Sequence, residues 1–178
     1  MKLQRLYENI IDQIQEAQLK LGYCKETMRF FFPLSSLNAI LQTQENSLQE
    51  MEQRLLSNKD WNTSPLGQLR LLRHKERLEI VVPPEGVTYV HENTVPSDFL
   101  KSFITLFRQN PHCTIEEIIN VFATFSRDYV CKKMEGADFD YAVYFRNKTP
   151  DEYIYCIKIE MGHTIYHRFT PEDYEQIL

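Results

Sequence analysis

The 178-residue chain holds only 5 Gly, 4 Cys and 1 Trp, and each scarcity removes a class of protein. So few glycines, with 8 Pro, leave no room for a collagen-like or low-complexity architecture. Neither GxGxxG nor GxxxxGK followed by Ser or Thr is present, so no familiar phosphate-cradling loop is expected. GxSxG is missing too, and no Ser or Cys stands in a recognisable catalytic context. The cysteines (Cys24, Cys113, Cys131, Cys156) are scattered with no CxxC. They read as reduced, mostly buried thiols of a cytoplasmic protein. Apolar runs stop after a few residues, far short of the ~20 that span a bilayer, so no membrane partner is expected. Residues 1–8 mix charges without an apolar centre, which does not describe a secretory signal. An excess of cations is also missing. A net charge of −5 and a pI near 5.6 argue against a surface that grips a polyanion throughout, while permitting a local basic patch.

What is present is apolar and aromatic: 43% hydrophobic residues, with 11 Phe and 10 Tyr, enough for a packed fold. Leu3, Leu6, Tyr7, Ile10, Ile11, Ile14, Ala17 and Leu21 recur at helical spacing, and Gly22 follows as a stop. Residues 27–32 are short and aromatic and predict a strand. Residues 33–41 predict a short helix. Ser47-Leu48-Gln49-Glu50 has the form of a capping box opening another helix. Residues 69–72 and 78–82 predict a β-hairpin with a charged tip. Pro83-Pro84-Glu85-Gly86 predicts a turn, and residues 87–90 a further short strand.

The order helix, strand, helix, helix, hairpin over residues 1–92 resembles a winged-helix domain in topology. Over residues 97–178 the pattern predicts two helices, a three-stranded antiparallel meander and a short closing helix. Ser97 and Thr114-Ile115-Glu116-Glu117 supply the helix starts. The second helix is expected to run as far as Met134 and stop at Gly136. Phe139, Tyr141, Val143 and Phe145 are expected to share one strand face, and Tyr153, Tyr155, Ile157 and Ile159 another. Thr170-Pro171 opens the last helix. A second winged-helix-like unit is an open alternative for this half, and the two halves can pack as one globule. The class is α+β.

Four cations, Arg70, Arg73, Lys75 and Arg77, surround a lone Glu76 on the expected wing. Such a tip suits DNA phosphates, whose attraction is sequence-independent. The helix placed to read bases offers Glu50, Glu52, Arg54 and Lys59, and its carboxylates suit phosphates poorly. His163 and His167 stand four apart, and His112 adjoins Cys113. On a strand, positions four apart sit roughly 13 Å from each other, too far to share a zinc. No metal or cofactor is therefore expected. Lys25 beside Cys24 would lower that thiol's pKa, although a half-buried structural thiol is the simpler reading. Glu116-Glu117 suits a helix start, and Asp138 with Asp140 a solvated turn. Alternating Tyr and Phe in the second half read as sheet core, with surplus Tyr available for association.

The segment from Glu16 to Tyr23, then Glu26, Phe32-Pro33-Leu34-Ser35-Ser36-Leu37-Asn38 and Pro84-Glu85-Gly86-Val87, resembles a bacterial family known only as a domain of unknown function (3877). The resemblance spans nearly the whole chain and implies a bacterial cytoplasmic protein. The family has no assigned activity, so the resemblance brings no catalytic motif, ligand or partner and implies nothing about mechanism. The expectation is a non-enzymatic protein–protein interaction module, with a protein partner or a homodimer. The alternatives are a DNA-binding regulator using the basic wing, and an enzyme of unrecognised class.

Overall fold

Leu3, Leu6, Tyr7, Ile10 and Ile14 fall on one stripe of a 3.6-residue period, and that stripe is the buried face of α1 (Leu3–Leu21). The helix ends where expected. Gly22 adopts φ 84, a value that disfavours side chains, and its N–H donates to Gln18 O at 2.9 Å. The computed structural model describes residues 2–135 and 138–177, with side chains to residue 174. Together these residues are α+β, and the chain divides into two compact units, Met1–Val95 and Pro96–Leu178.

In the first unit, β1 (Met28–Pro33) leads into α2 (Leu34–Leu41), then α3 (Leu48–Ser57). Ser47 Oγ accepts the Glu50 N–H at 3.2 Å, as the capping motif requires. The Glu50 carboxylate, however, takes the N–H of Asn46 (2.8 Å) rather than that of Ser47. A 3-10 turn (Lys59–Thr63) then sinks Trp61 into the core beside Tyr7. The Tyr7 hydroxyl donates to Asp60 O, and burial pushes its pKa up to about 12. The hairpin forms from β2 (Arg70–His74) and β3 (Arg77–Val82), and β3 also pairs with β1, giving the order β1-β3-β2. Phe30, Phe32, Leu78, Ile80 and Val82 point inward onto the helices.

The turn and strand expected over residues 83–90 are wrong. This stretch is α4 (Pro84–Asn93), with Pro84 at its first position, where a missing N–H costs nothing. Val87 and Val90, one turn apart, are both buried, so helical spacing overrides their β-propensity. Gln15 and Gln18 of α1 hydrogen-bond Thr94 and the Val87 carbonyl, fastening the segment to α1.

The second unit begins with α5 (Asp98–Gln109), capped by Ser97, and α6 (Ile115–Phe125), whose complete capping box joins Thr114 and Glu117. The expected extension of α6 to Met134 is also wrong. Ser126 turns extended, its hydroxyl takes the Asp128 N–H, and residues 129–133 form β4 (Tyr129–Lys133). Gly136, the expected helix stop, lies outside the described residues. The meander consequently has four strands, β4 followed by β5 (Tyr141–Phe145), β6 (Ile154–Glu160) and β7 (His163–Phe169), in sequential order, and α7 (Pro171–Ile177) follows.

Tyr155 is fully buried and packs against Phe99 and Phe103 of α5, so the aromatic stripe is core, as the alternation implied. Phe139 departs from its expected face. It packs with Ala142, Ile154, Cys156 and Tyr174 on the opposite side of the sheet. One buried charge had no sequence signal. The Arg168 guanidinium lies 4.1 Å over the Tyr153 ring, with Nη2 3.6 Å from Asp151 Oδ2. Asp151 also accepts the Tyr153 N–H and the Tyr155 hydroxyl.

Candidate functional site

The register of the three-stranded sheet sorts its side chains into two faces. Met28, Phe30 and Phe32 of β1 share the inner face with Leu78, Ile80 and Val82, and Leu71 joins them from β2. The residues between them make three rows on the outer face. These rows are Arg29, Val81 and Arg70; Phe31, Glu79 and Leu72; and Pro33, Arg77 and His74. Phe31 and Leu72, on the two outer strands, stay 43% and 45% exposed, while Val81 of the central strand is buried. Arg70, His74, Lys75 and Arg77 are exposed as well.

Glu79 sits between the two apolar residues and is buried. Arg29 Nη1 reaches its Oε1 at 2.6 Å, leaving the arginine itself more than half exposed. The carboxylate is thus neutralised from the side, while Arg70 and Arg77 keep the face cationic. The Phe31 ring meets the His74 ring edge-on, with centres 5.8 Å apart. Beside them lies an open concavity of about 440 Å³ lined by Phe31, His74, Lys75, Glu76 and Arg77. Lys75 holds the hairpin tip at φ 55.

The four wing cations do not act together. Arg73 is on the inner side of the sheet, and its Nε pairs with Glu52 of α3 at 3.0 Å. Arg70, Lys75 and Arg77 belong to the outer face or the tip. Helix α3 spends its other charges internally: Glu50 caps the preceding backbone and Arg54 pairs with Glu45. Arg29 and Phe31 belong to the same outer face but had no cationic cluster around them in sequence. Their signal was the alternation with buried Phe30 and Phe32.

Reactive thiols are scarce. Cys113 and Cys156 are buried and Cys131 half-buried, whereas Cys24 is exposed, contrary to the half-buried expectation. The Cys24 pKa is raised, not lowered: its hydrogen bond to Glu26 holds the proton on sulfur. Burial alone pushes the Cys156 thiol up to about 11. His163 and His167 both lie on β7, opposite Glu160 and Cys156. Among the described residues, no three His, Cys, Asp or Glu side chains gather as a metal cage, and no helix is long and apolar enough to cross a membrane.

A family model matches residues 3–178, and its description reads "Domain of unknown function, E. rectale Gene description (DUF3877)". No curated protein and no solved structure matches the chain.

Proposed function

We propose, for a chain that belongs to the DUF3877 family of domains of unknown function, a non-enzymatic role in protein–protein interaction. Its docking surface is the outer face of the β1-β3-β2 sheet, and its partner is an extended acidic protein segment. The observation that carries this reading is that Phe31 and Leu72, exposed on either side of the Arg29–Glu79 ion pair, share the outer face with the exposed Arg70 and Arg77. Exposed apolar residues bordered by arginines are features of protein interfaces. The rim cations select carboxylates by complementarity, which raises the association rate and rejects basic partners. The scattered reduced cysteines support a cytoplasmic setting, and a bacterial source accords with the family.

The test is selection of peptides from a random display library on the full-length chain. Acidic sequences with an apolar residue should be enriched. Phe31→Ala and Arg77→Glu should each weaken their binding about tenfold or more, as residues central to an interface do. Leu56→Ala, on the exposed side of α3, should leave it unchanged. No enrichment, or enrichment indifferent to Phe31 and Arg77, would sink the reading.

A second reading is a winged-helix DNA-binding regulator. It is supported by the order α1-β1-α2-α3-β2-β3 with β3 central, and by the exposed Lys75 and Arg77 at the tip. Its weakness is α3, whose carboxylates would face phosphates and whose arginine is already paired. Retardation of duplex DNA at low salt, lost when Lys75 and Arg77 become Glu, would favour it over peptide docking.

A further inference from the structure

We propose that His112 and His163 form a bidentate site for a divalent transition ion that takes donors at right angles, of the Ni²⁺ or Cu²⁺ class. The two rings come from different elements: His112 from the loop between α5 and α6, His163 from the first position of β7. Their centres lie 4.5 Å apart, with planes at 45°. A metal–nitrogen bond of about 2.1 Å, plus about 1.1 Å to the ring centre, puts right-angle ligands about 4.5 Å apart and tetrahedral ones about 5.2 Å apart. The observed separation matches the right-angle value, the angle at which square-planar and octahedral ions take neighbouring donors.

The protonation pattern agrees. His112 Nδ1 lies 2.7 Å from Gly162 O. A carbonyl only accepts, so Nδ1 carries a proton, which leaves Nε2 as the ring nitrogen for a ligand. An outer contact of this kind fixes the tautomer and orientation of metal-bound histidines. The backbone beneath both rings is stitched together. Thr164 N donates to Pro111 O at 3.0 Å, and Thr164 Oγ1 donates to Cys113 O at 2.6 Å. His112 N donates to Asn110 Oδ1 at 3.1 Å. The two backbones are thereby held side by side, and the His112 ring is fixed by Gly162 O, before an ion arrives, which lowers the ordering cost of binding. Both rings are exposed, so an ion enters without opening the fold, and water completes its shell. His167, further along β7, packs its ring against Phe139 and Phe169 and provides an internal control.

The test is calorimetric titration of the full chain with nickel chloride, in a Cys24→Ser background that removes the exposed thiol. One ion per chain should bind. His112→Ala and His163→Ala should each weaken it about tenfold or more, because the second donor no longer acts at intramolecular concentration. His167→Ala should leave it unchanged. Without metal, His163→Ala should melt with its parent, since its ring is exposed. Nickel should raise the melting temperature of the parent and of His167→Ala only. Equal binding by the parent and His112→Ala, equal weakening by His167→Ala, or no binding at about 1 mM nickel would overturn the proposal.

Discussion

Cys24 shows how nearness in sequence misleads about chemistry. Lys25 adjoins it and argued for a lowered pKa, yet the group that reaches the thiol is Glu26, two residues on. A carboxylate that accepts the S–H and repels the thiolate stabilises the neutral form, so the pKa rises. The consequence is a thiol that is accessible but slow at neutral pH. Iodoacetamide on the native protein should modify Cys24 first, because Cys113 and Cys156 are buried. The rate should keep climbing with pH beyond the range where an ordinary thiol, with pKa ≈ 8.5, has levelled off. Glu26→Gln removes the opposing charge. It lowers the pKa, enlarges the thiolate fraction and should accelerate labelling at about pH 8 a few-fold, read by mass spectrometry of the modified peptide. An unchanged or slower profile in that variant would refute the assignment. The same lesson applies to the histidines. Sequence spacing drew attention to His163 and His167, whereas the fold sets His163 against His112. No local pattern announces a neighbour brought in from another element.

At the scale of elements, what could be read from the chain was whatever periodicity and caps determine locally. Helix α1, the Thr114 capping box, the hairpin and the Thr170-Pro171 helix start all follow from residues within a few positions of one another. The failures are places where two local signals compete. Pro83-Pro84-Glu85-Gly86 carries turn chemistry and also the Pro of a first helical turn. The second reading wins because residues far away decide: Gly86 packs onto the Leu66 carbonyl, at a distance no side chain permits. A Cβ on Gly86 would meet Leu66 O at 2.1 Å and its carbonyl carbon at 2.8 Å. Backbone cannot yield as a flexible side chain would. Gly86→Ala should therefore cost about 1–3 kcal/mol, the range of overpacked cores, despite alanine's better helix propensity. Urea unfolding should show a lower midpoint with an unchanged slope. A stabilised variant would mean that α4 does not approach the Ser64–Gly67 turn this closely. The β4 error is of the same kind: the apolar stripe of Ile115–Phe125 is followed closely by the apolar Tyr129, Val130 and Cys131. The Ser126 hydroxyl, bonded to the Asp128 N–H, and Arg146, whose N–H donates to Asp128 O from just past β5, separate helix from strand. The outer sheet face was half legible for this reason. Its wing arginines announce themselves as a cluster, but Arg29 and Phe31 join it only through the register of β1 on β3.

For the whole molecule, two hydrophobic clusters among the described residues each draw on one of the two units. The core built on Leu6, Ile10, Leu37, Leu41, Met51, Leu55, Trp61 and Ile80 draws every member from Met1–Val95. The cluster of Met134, Ala142, Ile154, Cys156 and Tyr174 lies wholly within Pro96–Leu178, as does the stack of Phe99, Phe103, Phe122 and Tyr155. The sheets divide the same way: among the described residues, β1-β3-β2 lies in the first unit and β4-β5-β6-β7 in the second. Domains that bury their own apolar surface and complete their own sheets fold alone, even at sizes where burial is incomplete. Fragments 1–95 and 96–178 should each be soluble and melt cooperatively. This separation also sorts the two proposals. Peptide docking should survive in fragment 1–95 alone, because Arg29, Phe31, Arg70, Leu72 and Arg77 are all present there. Nickel binding should survive in fragment 96–178, which keeps His112, His163 and the Thr164 hydrogen bonds. An N-terminal fragment that stays unfolded by circular dichroism would show that its core needs support from residues beyond Val95, and the two-unit description would fall.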